Sequence, residues 1–283
     1  MILRSYPFKR VVIVGTGLMG GSLGLAIKKN KLAKEIVGLS QRQSSLMEAL
    51  KVKAIDVAET DIEKAIRPAD LVVLATPVDS IVKLLPTIAK YVKRGAVVTD
   101  LGSTKVEIVD TAEKVLLESA TFIGSHPLVG SEKKGIEHAW PEMYEGAKCI
   151  ITPSQNSHKG LIKKIRVFWE KLGSHVEETT PQQHDESLAF VSHLPHVLAF
   201  SLMETMSEEH LKLTTQSLKD MTRIASSTPQ LWKDICITNS RQVVKSLDQF
   251  IEQLARIRKL IVQKDEDHLV EYFTKAKEKR DQL

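Results

Sequence analysis

The sequence has few aromatic residues, few cysteines and no long apolar run. Aromatics make up 5% of its 283 residues. The two cysteines, Cys149 and Cys236, have no neighbour at a metal-ligand or disulfide-framework spacing. A small disulfide scaffold is therefore excluded, and reduced thiols in a cytoplasmic compartment are the expectation. The net charge is +5, with the lysines scattered rather than clustered. A nucleic-acid surface needs clustered basic residues interleaved with aromatics, so no nucleic-acid partner is expected. The strongest apolar stretches, such as Leu71 to Ala75, fall far short of the ~20 residues of a membrane helix, so no membrane partner is expected either. The opening segment MILRSYPFKRVVIVG runs into a glycine-rich turn rather than a cleavage site, which argues against a signal peptide. No internal repeat or low-complexity tract is evident.

What remains is an ordinary globular composition, 42% hydrophobic and 27% charged, in a length that suits one large or two ordinary domains. In the first half, apolar strands at Arg10 to Val14, Glu35 to Leu39, Leu71 to Ala75, Ala96 to Asp100, Thr121 to Gly124, Lys148 to Thr152 and Val176 to Glu178 alternate with helices. The helical patterns lie at Gly20 to Lys29, Ser44 to Leu50, Ser80 to Val92 and Lys105 to Leu117. This alternation predicts an α/β, doubly wound parallel sheet. Beyond Thr180 the strand signal stops. Gln182 to Met206, Thr228 to Asn239 and Glu266 to Lys279 read as helices, and Leu247 to Ile261 carries apolar residues at i, i+3, i+4 and i+7. The expected organisation is residues 1–179 as a dinucleotide-binding domain and 180–283 as an all-α domain.

Gly15-Thr16-Gly17-Leu18-Met19-Gly20 fits G-x-G-x-x-G directly after the strand VVIV and at the start of a helix. In that context the glycines permit a tight turn, bare backbone beside a pyrophosphate, and close helix–strand packing. The second strand ends in Ser40-Gln41-Arg42, where an NAD site usually carries a carboxylate. Nothing there repels a 2′-phosphate and Arg42 could pair with one, so NADP is the preferred expectation, with NAD possible. Ala75-Thr76-Pro77 closes the third predicted strand at the sheet edge where ligands bind, and Thr76 and Pro77 are either cofactor contacts or a structural turn.

Three further segments have chemical content. Ser103 precedes Thr104-x-x-Glu107, which reads as a helix capping box. His126, in Gly124-Ser125-His126-Pro127, is expected as an exposed imidazole above the sheet, suited to taking a proton from a hydroxyl. In Ser192-His193-Leu194-Pro195-His196 two histidines stand three apart with no third ligand, so no metal is expected. Arg223 sits among apolar neighbours, as either a carboxylate clamp or a snorkelling surface arginine would.

GTGLMGGSLG, TDLGSTK, GSHPLVGSEKKG, SHLPH, and KDMTRIA followed by PQLW occur in one order over nearly the whole chain. In this the sequence resembles the prephenate dehydrogenases, a family that includes arogenate dehydrogenases and serves tyrosine biosynthesis. The resemblance implies a Rossmann domain, a helical dimerisation domain, a homodimer and an active site between the domains. It implies that His126 accepts the proton of the ring C4 hydroxyl and that Ser103 orients this histidine. It further implies that Arg223 holds the ring carboxylate, that Ser192, His196 and Glu132 line the pocket, and that Trp232 resembles a residue the partner subunit can supply. The substrate would be prephenate or arogenate, with His196 leaning towards prephenate as a cation-capable group and Glu132 pulling the other way. Two features depart from some members: Ser40 replaces the acidic residue, and Thr214 to Ser217 lacks glycines. No attached mutase or regulatory domain is expected.

Two rival readings have other chemistry. A β-hydroxyacid dehydrogenase would place a catalytic lysine soon after Thr180, yet none occurs until Lys212; a pyrroline-carboxylate reductase shares the two-domain plan. A nucleotide-sensing regulator would not need Ser103, His126 and Arg223 together.

Overall fold

The computed structural model describes residues 6–116, 119–129 and 133–283. Eight strands form one sheet: β1 (Phe8–Val14), β2 (Ala33–Leu39), β3 (Val57–Glu59), β4 (Leu71–Leu74), β5 (Ala96–Asp100), β6 (Ala120–Pro127), β7 (Lys148–Pro153) and β8 (His175–Glu178). Their order is β3-β2-β1-β4-β5-β6-β7-β8. From β3 to β6 every pairing is parallel. The sequence led us to expect a parallel sheet, and one pairing departs from that: β7 runs antiparallel to β6, and β8 follows β7 in parallel.

The helices α1 (Leu18–Lys29), α2 (Gln43–Lys51), α3 (Ile62–Ile66), α4 (Val78–Tyr91), α5 (Val106–Leu116) and α6 (Lys159–Lys171) cover the sheet. β4, Leu71-Val72-Val73-Leu74, is buried along its whole length because helices lie on both faces. Val11, Ile13, Val73 and Trp169 belong to one apolar core, and Val12, Val14, Val72 and Leu85 to another, as successive side chains point to opposite faces. Strand order reverses between β1 and β4, and that switch point opens the crevice.

The remaining helices are α7 (Pro181–Leu188), α8 (Leu194–Glu204), α9 (Glu208–Lys212), α10 (Gln216–Thr222), α11 (Pro229–Thr238), α12 (Ser240–Gln263) and α13 (Glu266–Arg280). Thr180 caps α7 with a capping box, its hydroxyl accepting from the Gln183 N–H. Between α7 and α8 the chain takes a wider π turn over Ala189–His193. Pro195 has no N–H to return to the preceding turn, which favours such a bulge. Val244, Ile251, Leu254 and Ile261 of α12 and Phe273 of α13 are exposed, leaving an apolar seam along the helical domain. Among the described residues no helix is long and apolar enough to cross a membrane.

Two local expectations are corrected. Strand β6 extends past Gly124 because β7 pairs with it as far as Pro127, and His126 lies opposite Ile150. His126 is therefore a half-buried strand residue, not an exposed loop residue. Thr104 also forms no capping box: its hydroxyl pairs with that of Thr238 at 2.9 Å. The Lys105 and Val106 N–H groups at the start of α5 instead donate to the Asp185 carboxylate at 2.7 and 2.9 Å.

Candidate active site

The nucleotide side follows directly from the glycine turn. Gly15 has φ +94°, a left-handed value that glycine adopts without strain. A Cβ on Gly20 would stand 2.0 Å from the Gly15 carbonyl oxygen, whereas one on Gly17 would meet nothing within 4 Å. Gly20 therefore serves packing, and Gly17 leaves an open approach to the start of α1. That helix begins with no side-chain cap and no acidic residue in its first turn, so its N–H groups remain available to an anion.

Gly17, Leu18, Met19, Thr76 and Pro77 line the crevice. The buried Thr76 hydroxyl has no partner among the described residues, as expected of a group awaiting a ligand. Thr16 is buried, and its hydroxyl donates to the Ser45 carbonyl at 3.4 Å. Met19 is fixed from behind by the Tyr144 hydroxyl, which donates to its carbonyl at 2.7 Å. At the end of β2, the Ser40 hydroxyl accepts from the Arg42 N–H at 3.2 Å. Gln41 and Arg42 are exposed, and the Arg42 guanidinium makes no ion pair among the described residues.

Beside this crevice lies a second cavity of about 590 Å³, lined by Ser103, His126, Ser192, His196, Arg223 and Trp232. Ser103 and His126 line both spaces. The structure thus gathers six residues from distant segments, and Glu132 alone of the expected set lies outside the described residues. Trp232 is buried in its own chain's cavity, its ring stacked on His196 at 3.7 Å between centroids. Its indole N–H has no partner among the described residues. His196 Nδ1–H donates to the Ser192 carbonyl at 2.9 Å, which leaves Nε2 as an acceptor. Burial pushes this imidazole below its usual range, and the Arg223 guanidinium adds to the effect. Arg223 itself is exposed and has no carboxylate partner among the described residues.

Sequence reading missed the group that holds His126. His126 Nδ1 lies 2.8 Å from His184 Nε2, and His184 Nδ1 lies 2.7 Å from Asp185 Oδ1. A carboxylate only accepts, so His184 Nδ1 carries hydrogen and its Nε2 accepts. His126 Nδ1 must then be the donor, leaving His126 Nε2 bare. The imidazole is oriented by His184; Ser103 makes no side-chain hydrogen bond to it among the described residues. Burial pushes His126 well below its usual range, with smaller contributions from His184, Lys105 and His193. The imidazole therefore stays neutral at pH 7.

Beneath His126 the backbone is anchored by a fully buried ion pair between Lys105 and Asp100. Asp100 accepts from the Ser125 N–H at 3.0 Å, and the Lys105 ammonium donates to the Ser125 carbonyl at 3.1 Å. The Ser125 hydroxyl also accepts from the Trp169 indole at 3.0 Å. The adjacent His-Asp pair in the first helix after the sheet is the one local signal of the cluster. Nothing in the sequence tied it to a histidine 58 positions away.

Two family models match the chain: "Prephenate dehydrogenase, nucleotide-binding domain" over residues 23–178 and "Prephenate dehydrogenase, dimerization domain" over residues 180–275. Among curated proteins, the prephenate dehydrogenase of Bacillus subtilis is 34% identical, over 96% of this chain and 76% of its own length. The cyclohexadienyl dehydrogenase of Zymomonas mobilis is 32% identical, over 96% of this chain and 95% of its own. Among solved structures, a prephenate dehydrogenase from Aquifex aeolicus in complex with hydroxyphenyl propionate and NAD+ has a TM-score of 0.90 at 35% identity. It covers 96% of this chain and 97% of that one.

Proposed function

The chain belongs to the prephenate dehydrogenase family, and from that premise we propose that it oxidatively decarboxylates prephenate to 4-hydroxyphenylpyruvate with a nicotinamide dinucleotide. The observation that carries this reading is the meeting of the nucleotide crevice and the second cavity at His126 and Ser103, with Arg223 lining the latter.

The dinucleotide would be held by the Gly15–Gly20 turn, the start of α1 and the orphaned Thr76 hydroxyl. Once bound in its oxidised form it supplies a two-electron acceptor for the hydride on substrate C4. The bare Nε2 of His126 takes the C4 hydroxyl proton, and depressed basicity keeps that nitrogen unprotonated well below neutrality. The Ser103 hydroxyl, which lines both spaces, binds the reacting oxygen. Arg223 binds the C1 carboxylate by a charge-assisted contact. The C1 carboxylate leaves as carbon dioxide, and its bonding electrons complete the aromatic ring. Ser192, His196 and Trp232 receive the side-chain end of the substrate, with Trp232 acting in its own chain.

Arogenate is the second reading, supported by one observation. His196 is neutral with Nε2 as acceptor, which suits an α-ammonium donor better than a keto acid. For the cofactor, Ser40 and the unpaired Arg42 support NADP, while the Aquifex aeolicus relative binds NAD+, which supports NAD as the alternative. We place the domain boundary at 179/180. The match to a dimerisation domain and the apolar seam of α12 support a homodimer. The two unpaired cysteines, Cys149 and Cys236, support a cytoplasmic setting.

The test is the absorbance of reduced nicotinamide after adding prephenate or arogenate with either cofactor. A rise with prephenate supports the main reading, a rise with arogenate alone selects the second, and no rise with any pair refutes both.

A further inference from the structure

His184 is a buried titratable group that the mechanism above uses only as a hydrogen-bond acceptor. Its surroundings suggest more. The His126 imidazole faces the Lys105 ammonium, His193 and His184, and Asp100, the carboxylate in contact with that ammonium, is already paired with it. A positive charge left on His126 would have no anion in contact among the described residues. The next imidazole, which the Lys105 ammonium and Asp100 also face with opposite effects, does: His184 Nδ1–H donates to Asp185 Oδ1 at 2.7 Å. The Lys105 and Val106 N–H groups at the start of α5 hold that carboxylate in place.

On the reading that His126 is the base, we infer that His184 receives the proton displaced through His126. As the substrate O–H bond breaks and His126 Nε2–H forms, the Nδ1–H of His126 breaks and His184 Nε2–H forms across the 2.8 Å contact. The charge then rests on a His184 imidazolium beside the Asp185 carboxylate, and His126 ends neutral with its proton on Nε2. After product leaves, His126 Nε2 loses that proton to water through the open cavity and Nδ1 regains its own. His184 never touches substrate and is a positioning residue, supplied by the helical domain to a base on the sheet.

The experiment compares wild type, His184→Gln and His184→Leu, each checked by thermal unfolding and by direct cofactor titration. Nitrogen NMR of the histidine-labelled full chain reads the tautomer of His126, and steady-state rates with prephenate or arogenate read turnover. Glutamine can accept from His126 Nδ1–H and donate to Asp185, but it cannot take the proton. The expected result is that His184→Gln keeps the Nδ1–H tautomer, the cofactor affinity and the KM, yet loses about 100-fold in kcat. His184→Leu should lose the single tautomer as well, and its acid limb should move to lower pH because the shared charge is gone. A His184→Gln enzyme with wild-type kcat overturns the relay alone. A wild type that turns over neither substrate overturns the proposed function and the relay with it.

Discussion

The two sides of the crevice are built on opposite plans. The nucleotide side is a single turn, Gly15 to Gly20, in which every required property is local: a positive φ, an open approach and a close packing contact. The proton side is gathered from β5, β6, α7 and the start of α5. Asp100, Lys105, His126, His184 and Asp185 meet there through contacts between residues up to 80 positions apart. One side depends on backbone shape and tolerates change around it. The other is a buried polar network in which each member fixes the next, so a fault at one place spreads.

The contrast is sharpest at two glycines. Gly20→Val should abolish nucleotide binding and also destabilise the fold by about 3 kcal/mol, because the new side chain meets the Gly15 carbonyl. Gly17→Val should abolish binding with little change in melting temperature, because the space there is open. Calorimetric titration and thermal unfolding of the two variants separate packing from recognition. Next in size, Arg223→Ala should raise KM by about 10- to 100-fold, the worth of one charge-assisted contact, with a smaller change in kcat. An unaltered KM would place the carboxylate elsewhere.

The proton side makes its own demand on pH. His126, His184 and His193 are all pushed below the ordinary histidine value, chiefly by burial, with His193 at about 4. The folded chain therefore binds fewer protons than the unfolded chain between pH 6.5 and about 4. The stability that these three sites contribute is complete above 6.5 and is lost as pH falls through that window. His193 alone should contribute a loss of about 2 kcal/mol between pH 7.5 and 5, measurable by urea unfolding at the two values. Smallest is Ser40→Asp, which should shift preference towards NAD by about tenfold without changing kcat.

How much the sequence disclosed follows the same division. The strands β1, β4 and β5 and the glycine turn were legible because their signals lie in consecutive residues. His126, Ser103 and Arg223 were recognised by family resemblance, and their spacing alone left structural roles open. His184 and Asp185 were passed over because Pro181-Gln182-Gln183-His184-Asp185 is an unremarkable helix start until it is folded against α5. The capping-box expectation at Thr104 failed for the same reason: the cap is a carboxylate from the other domain. The antiparallel β7 was missed because a short apolar run carries no mark of its direction, and that pairing is what draws His126 into the sheet.

The most direct test is one comparison, wild type against His126→Asn, following reduced nicotinamide from prephenate alongside cofactor binding. The expected result is a fall in kcat of about 10²–10⁴ with the cofactor affinity unchanged. A His126→Asn enzyme as fast as wild type would contradict the assignment of the base.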